Sequence, residues 1–159
     1  RPWPPMHLSA ERALAAGRIA LPEIDSTNAE GFRRAPELTS PAWITAGLQT
    51  AGRGRRSRPW VSPRGNFHGT LVLKPTEAPE VVALRSFVAA LALRDALAAL
   101  TGLPASLTLK WPNDVLLNGG KLAGILLESQ GLGQDDAVLC IGIGVNLIAA
   151  PDVSVIEPG

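Results

Sequence analysis

The chain has 159 residues, 46% of them hydrophobic, and a formal net charge of +1. That length allows one domain with a sizeable core, and the near-neutral balance excludes a generally basic nucleic-acid coat. Its single cysteine excludes an internal disulfide, and no run approaches the roughly 20 apolar residues of a membrane-spanning helix.

Residues 1–5, "RPWPP", read as a tail ahead of a domain over residues 6–159. No basic-then-apolar leader opens the chain, so a cytoplasmic protein is expected. "GRIALPEID" reads as a strand entering a helix at "STNAEGFRRA". There Thr27 and Glu30 have capping-box spacing and place Ser26 to Asn28 at the helix N-terminus. "AWITAGLQT" is the next strand, and "FHGTLVLK" another after an arginine-rich loop. Neither His7 nor His68 has metal-ligand spacing to other donors, so both read as structural or surface residues.

From about Ala78 to Leu100 apolar residues recur at helical spacing (Val81, Leu84, Phe87, Val88, Leu91), and Gly102 ends the helix. The second half is strand-rich: "SLTLKW", "DVLLN", "KLAGILLES" and "AVLCIGIGVNL", with "NGG" at 118–120 as a hairpin turn. Cys140 lies in the last of these and reads as a buried, inert thiol. The whole predicts an α+β fold, a mixed and largely antiparallel sheet with helices packed on it.

Three stretches carry chemistry. "GRGRRSRPW" holds Arg53, Arg55, Arg56 and Arg58 with no acidic neighbour in sequence. Like charges this close repel, so an anion is expected to compensate them. Gly52 and Gly54 let backbone approach a ligand, and guanidinium forks grip phosphate or carboxylate bidentately. A solvated basic loop or one touching nucleic acid fits the same residues. No G-x-x-x-x-G-K-[ST] loop and no helix-opening G-x-G-x-x-G occurs.

In "KWPNDVLLNGGKLAGILLE", Asn113 and Asp114 follow Pro112, where they can close a turn or address a purine or Mg²⁺. Lys121 begins a strand after the hairpin. Gly124 interrupts an apolar strand, as glycine does where something approaches closely. In "IGIGVN", Gly142 and Gly144 share one face, with Asn146 continuing it. Two missing side chains there open a floor for a flat ligand, or admit a tight packing contact.

In this order, "DSTNAE", "QTAGRGRRSRPWVSP", "KWPNDVLL", "GGKLAGILLE" and "IGIGVN" resemble the motif series of biotin protein ligases, over about residues 19–148. The resemblance implies a class II synthetase-like catalytic domain. It also implies ATP-dependent conversion of biotin to biotinyl-5′-AMP, then transfer to a lysine of a carboxylase's biotin carrier domain. By the family pattern Arg53, Arg55 and Lys121 are catalytic, and Arg53 and Lys121 also touch biotin. Ser26, Thr27, Gln49, Gly52, Gly124, Leu126, Gly142 and Gly144 complete the biotin site. Arg55, Arg56, Trp60, Asn113, Asp114, Lys121 and Asn146 address the nucleotide. ATP and Mg²⁺ are the implied cofactors, with Asp114 as an indirect Mg²⁺ contact. Partners are biotin, ATP and the carrier domain, without DNA or membrane, in a monomer or homodimer.

Four departures stand out. Ser57 replaces a loop glycine, "NFHG" replaces Asn-Leu-Tyr, no helix-turn-helix precedes the motifs, and the small C-terminal barrel-like domain of many relatives is not among these residues. Lipoate or octanoate ligases share the implied fold, but their Arg-Arg-x-Ser-Gly-Gly-Gly run is absent. A nucleic-acid-binding module and a non-catalytic biotin-binding module are the remaining alternatives.

Overall fold

The computed structural model describes residues 16–150; the tail, His7 and the C-terminal "VIEPG" lie outside them. Seven strands form one sheet, β1 (Gly17–Leu21), β2 (Ala42–Ala46), β3 (Phe67–Leu73), β4 (Leu107–Lys110), β5 (Asp114–Leu117), β6 (Gly120–Gln130) and β7 (Val138–Val145). Their spatial order is β1-β2-β3-β7-β6-β5-β4. Only the β1–β2 pair is parallel, and the other pairs are antiparallel. The predicted mixed, largely antiparallel sheet is what forms.

Local chemistry explains the elements. Helix α1 (Thr27–Arg34) is capped by Ser26, whose Oγ accepts from the Ala29 amide. The cap is therefore Ser26 and not Thr27, and Glu30 turns instead to Arg33 and Arg34; the predicted capping box does not form. Arginine in the last turn opposes the helix dipole. The β5–β6 hairpin turns at Asn118 and Gly119, both at positive φ (50° and 84°), as the "NGG" signal requires.

The predicted single helix over 78–100 is two: α2 (Pro79–Ala83) and α3 (Arg85–Thr101), meeting at Leu84. Gly102, at φ 67°, ends α3 in the left-handed conformation. The expected inward stripe is corrected as well. Val81, Leu84, Phe87, Val88 and Leu91 are exposed, while Val82, Ala90 and Leu97 enter the core.

The sheet lies between two helical layers. On one face α2 and α3 cover Leu73, Ile125, Leu139 and Ile141, then Leu107, Val115, Ala123 and Val145. On the other, α1 covers Ile44, Val72 and Cys140, with Phe32 against them. Gly31 is what lets α1 sit this close, because a Cβ there would come within 2.7 Å of Cys140 Sγ. Burial pushes the Cys140 thiol up to about 12, in keeping with the inert thiol expected.

Candidate functional site

The α1-facing side of the sheet continues past the helix N-terminus, and the strand registers line up its residues in rows. One row runs Ala46, His68, Gly144, Gly124, Asp114 across five strands. The next runs Ile44, Thr70, Gly142, Leu126. The glycines do not leave an open floor. A Cβ on Gly144 would lie 2.5 Å from Trp60 Nε1, and one on Gly124 would lie 3.1 Å from the Trp60 ring. A Cβ on Gly142 would meet Asn28 Oδ1 at 2.4 Å. Of the two readings of these glycines, the tight packing contact is the one visible here: Trp60 and Asn28 fill the space the three glycines vacate.

Trp60 packs over the middle of the first row. Toward α1 lies a cluster of polar groups, bordered at Asn28 by the Glu128 carboxylate. Gln49 Oε1 accepts from the Thr27 amide (2.8 Å) and hydroxyl (3.1 Å), and Gln49 Nε2 donates to Ser62 Oγ at 2.9 Å. Thr70 Oγ1 lies 2.8 Å from Thr27 Oγ1 and 2.6 Å from Asn28 Oδ1. Gly52 closes this cluster, since a Cβ there would stand 2.6 Å from both Ser62 Oγ and Trp60 O. Ser26, Thr27 and Asn28 are all buried.

Further charges gather beside Trp60. Lys121 Nζ sits 2.9 Å from Asp114 Oδ1 and 5.3 Å from the centre of the Trp60 ring. Arg55 reaches Asn113 Oδ1 at 3.4 Å, while Asn113 Nδ2 donates to Ile125 O at 2.7 Å. Asn146 donates to Lys121 O and accepts from Asn66. The loop carrying the arginines is itself a short hairpin, with Trp60 N donating to Gly52 O and Gly54 N to Arg58 O.

Arg53 turns inward, its Nε 3.1 Å from Glu128 Oε1 and its Nη2 3.2 Å from Oε2. Asn28 Nδ2 donates to the same carboxylate at 2.7 Å. The anion missing from the loop's sequence neighbourhood is therefore supplied by β6. Arg56 and Arg58 are exposed and meet no partner among the described residues, so Arg56 stands apart from the other predicted site residues. Leu126 lies in register with Gly142 on the site face.

The residues sequence reading passed over are Asn28, Ser62, His68, Thr70 and Glu128. Strand alternation carries a signal for Glu128, which shares a face with Gly124 and Leu126. His68 shares a face with Thr70 by the same rule. Behind the site, Arg33 hydrogen-bonds Asp25 and holds its carboxyl down at about 2, and Arg33 with Arg34 holds Glu30 below the usual carboxylate range.

Residues 20–146 match the biotin/lipoate A/B protein ligase family. The chain belongs to that family. It is 58% identical over 139 residues to the biotin–[acetyl-CoA-carboxylase] ligase of Paracoccus denitrificans, covering 87% of this chain and 58% of the relative. Its fold superposes on the Leishmania major biotin protein ligase complexed with biotinyl-5-AMP (TM-score 0.74, 30% identity, 90% of this chain and 62% of the other). It also superposes on the Aquifex aeolicus biotin protein ligase complexed with biotin and ATP (TM-score 0.68, 33% identity, 86% and 55%). The chain thus spans less than two-thirds of the length of these biotin/lipoate ligase relatives. The expected fold is the one found, that of biotin protein ligase catalytic domains.

Among the described residues no three His, Cys, Asp or Glu side chains gather around one point. Asp114 already faces an ammonium group.

Proposed function

We propose that this chain carries the catalytic site of an ATP-dependent biotin protein ligase. It would join biotin to ATP as biotinyl-5′-AMP, releasing pyrophosphate, and then pass the biotinyl group to a lysine of a biotin carrier domain. The observation that carries the reading is the convergence on one sheet face of neutral hydrogen-bonding groups, Thr27 and Gln49, with Arg53, Arg55 and Lys121 around Trp60.

The chemistry asks for that convergence. A carboxylate and a triphosphate repel, and they must meet for the α-phosphate to be attacked. Thr27, Gln49 and Ser26 suit the neutral ureido ring, while Asn113 and Asn146 suit the nucleotide. Lys121 and Arg55 stand where the two anions converge and negative charge builds on the phosphate. In the free protein these cations already have partners, Asp114 for Lys121 and Asn113 for Arg55, and Arg53 has Glu128. Incoming anions would take over from those partners, so the cations need not be ordered afresh at the moment of reaction. Mg²⁺ enters with the nucleotide as MgATP, with its charge carried chiefly by the phosphates.

In the second step the mixed anhydride's carbonyl is attacked by an amine, an amide forms and AMP leaves. Water competes for the same carbonyl, and the loop from Gly52 to Trp60 is placed to exclude it. The acetyl-CoA-carboxylase named for the Paracoccus relative suggests the class of acceptor.

The test is exchange of labelled pyrophosphate into ATP with biotin, lipoate or octanoate as the acid. Biotin alone is expected to support exchange, and Lys121→Ala to lower it by roughly a hundredfold or more. Exchange driven by lipoate or octanoate and not by biotin would transfer the reading to the other branch of the family.

A further inference from the structure

His68 lies on the site face with one ring nitrogen hydrogen-bonded and one without a partner. The side chain is 2% exposed. Its Nε2 lies 3.2 Å from Pro63 O, and a carbonyl only accepts, so Nε2 carries the hydrogen. In the neutral ring Nδ1 is then a lone-pair acceptor, and it is buried without a hydrogen-bond partner. Buried polar atoms in folded proteins are nearly always paired, and an orphan asks for a reason.

Its surroundings supply one. In register, His68 lies between Ala46 and Gly144 on the site face, one place along β3 from Thr70. Across Gly144 stands Trp60, whose Nε1 is likewise buried and unpartnered. The ring is roofed by Pro63, directly after Ser62, which holds Gln49. Gln49 Oε1 already accepts two hydrogen bonds from Thr27. A free acceptor and a free donor thus flank one glycine on the face that also carries Thr27, Gln49 and Ser62, whose polar groups are engaged with each other. The complementary ligand group presents an N–H beside a C=O, as an amide or cyclic urea does.

We infer that His68 is a specificity-determining contact of the acid site, its Nδ1 accepting an N–H from the ligand's ureido ring. The inference rests on the proposed function above and goes beyond it: the sequence series gives His68 no role, and a structural prop at Pro63 would need Nε2 alone.

Two substitutions separate the ring nitrogens. His68→Asn sets an acceptor near the Nδ1 position and abandons Pro63 O. His68→Gln can keep the Pro63 bond and loses the Nδ1 acceptor. Biotin affinity is measured for each by calorimetry, together with the KM values for biotin and ATP in pyrophosphate exchange. His68→Gln is expected to weaken biotin roughly tenfold or more with the ATP KM unchanged, and His68→Asn to stay within about threefold of the unmutated chain. Equal losses in both, or a larger loss in His68→Asn, would make His68 a prop and overturn the inference alone. An unmutated chain that binds no biotin would overturn the functional reading and this inference with it.

Discussion

Arg56 and Ser57 hold consecutive left-handed conformations, φ 55° and 58°. For residues other than glycine this costs about 1–2 kcal/mol each, and Ser57 stands where the family pattern has glycine. The loop therefore carries local strain in this conformation, and closure over the proposed adenylate in the same conformation would have to bear it. Ser57→Gly removes one of the two contributions, and the adenylate should leave the variant several-fold more slowly; an unchanged dissociation rate would count against the strain. Cys140 gives a second residue-level expectation. Buried and pushed up to about 12, it should resist thiol reagents at pH 8 in the folded chain and react on unfolding. Rapid labelling of the native protein would contradict this. The strained serine could be suspected from the family resemblance, because Ser57 stands where that pattern has glycine. The Arg53–Glu128 pair could not, since its partners are 75 residues apart.

At the scale of elements, α1 is the piece on which the site hangs, and two features hold it. Gly31 permits close contact with the sheet. Gly31→Ala adds a methyl 2.7 Å from Cys140 Sγ and 3.0 Å from Val72 Cγ2. Overpacking of this kind costs about 1–3 kcal/mol, against a helix-propensity gain of about 1 kcal/mol. A lower melting temperature is expected, and an unchanged or raised one would refute the contact. The second feature is the Asp25–Arg33 pair, which ties the residue before the N-cap to the last turn. Asp25 is depressed from 3.8 to about 2, so its contribution is complete above the unfolded value and is lost as pH falls through the folded one. Asp25→Asn should flatten that acid limb of the stability curve; an identical limb would show the pair contributes nothing there.

The same scale explains what misled the helix reading. Residues 79–101 carry alanine, leucine or valine on nearly every side, so periodicity locates a helix without saying which stripe turns inward. Val82, Ala90 and Leu97 do so, and the more regular stripe from Val81 to Leu91 faces outward. The hairpins were legible because "NGG" and the alternating strands encode their own pairing. No helix among the described residues is long and apolar enough to cross a membrane.

For the whole molecule, the decisive strand pairing is the most distant in sequence. β3 and β7 pair across the interval that holds α2, α3 and three strands. That pairing puts His68 and Thr70 beside Gly144 and Gly142. Motif residues could be identified one by one from the sequence, but their rows could not, because rows are set by register between strands far apart in the chain. The same rows show why the glycines are needed: they seat Trp60 and Asn28.

The central claim is that the hairpin from Gly52 to Trp60 closes when anions displace the internal partners of Arg53, Arg55 and Lys121. Amide hydrogen exchange at residues 52–60 tests it most directly, measured for the free chain, with biotin, with ATP, and with both. Strong protection of these amides in the presence of both ligands, well beyond that with either alone, is the predicted result. Adenylate formation with exchange at these amides unaltered would contradict the account.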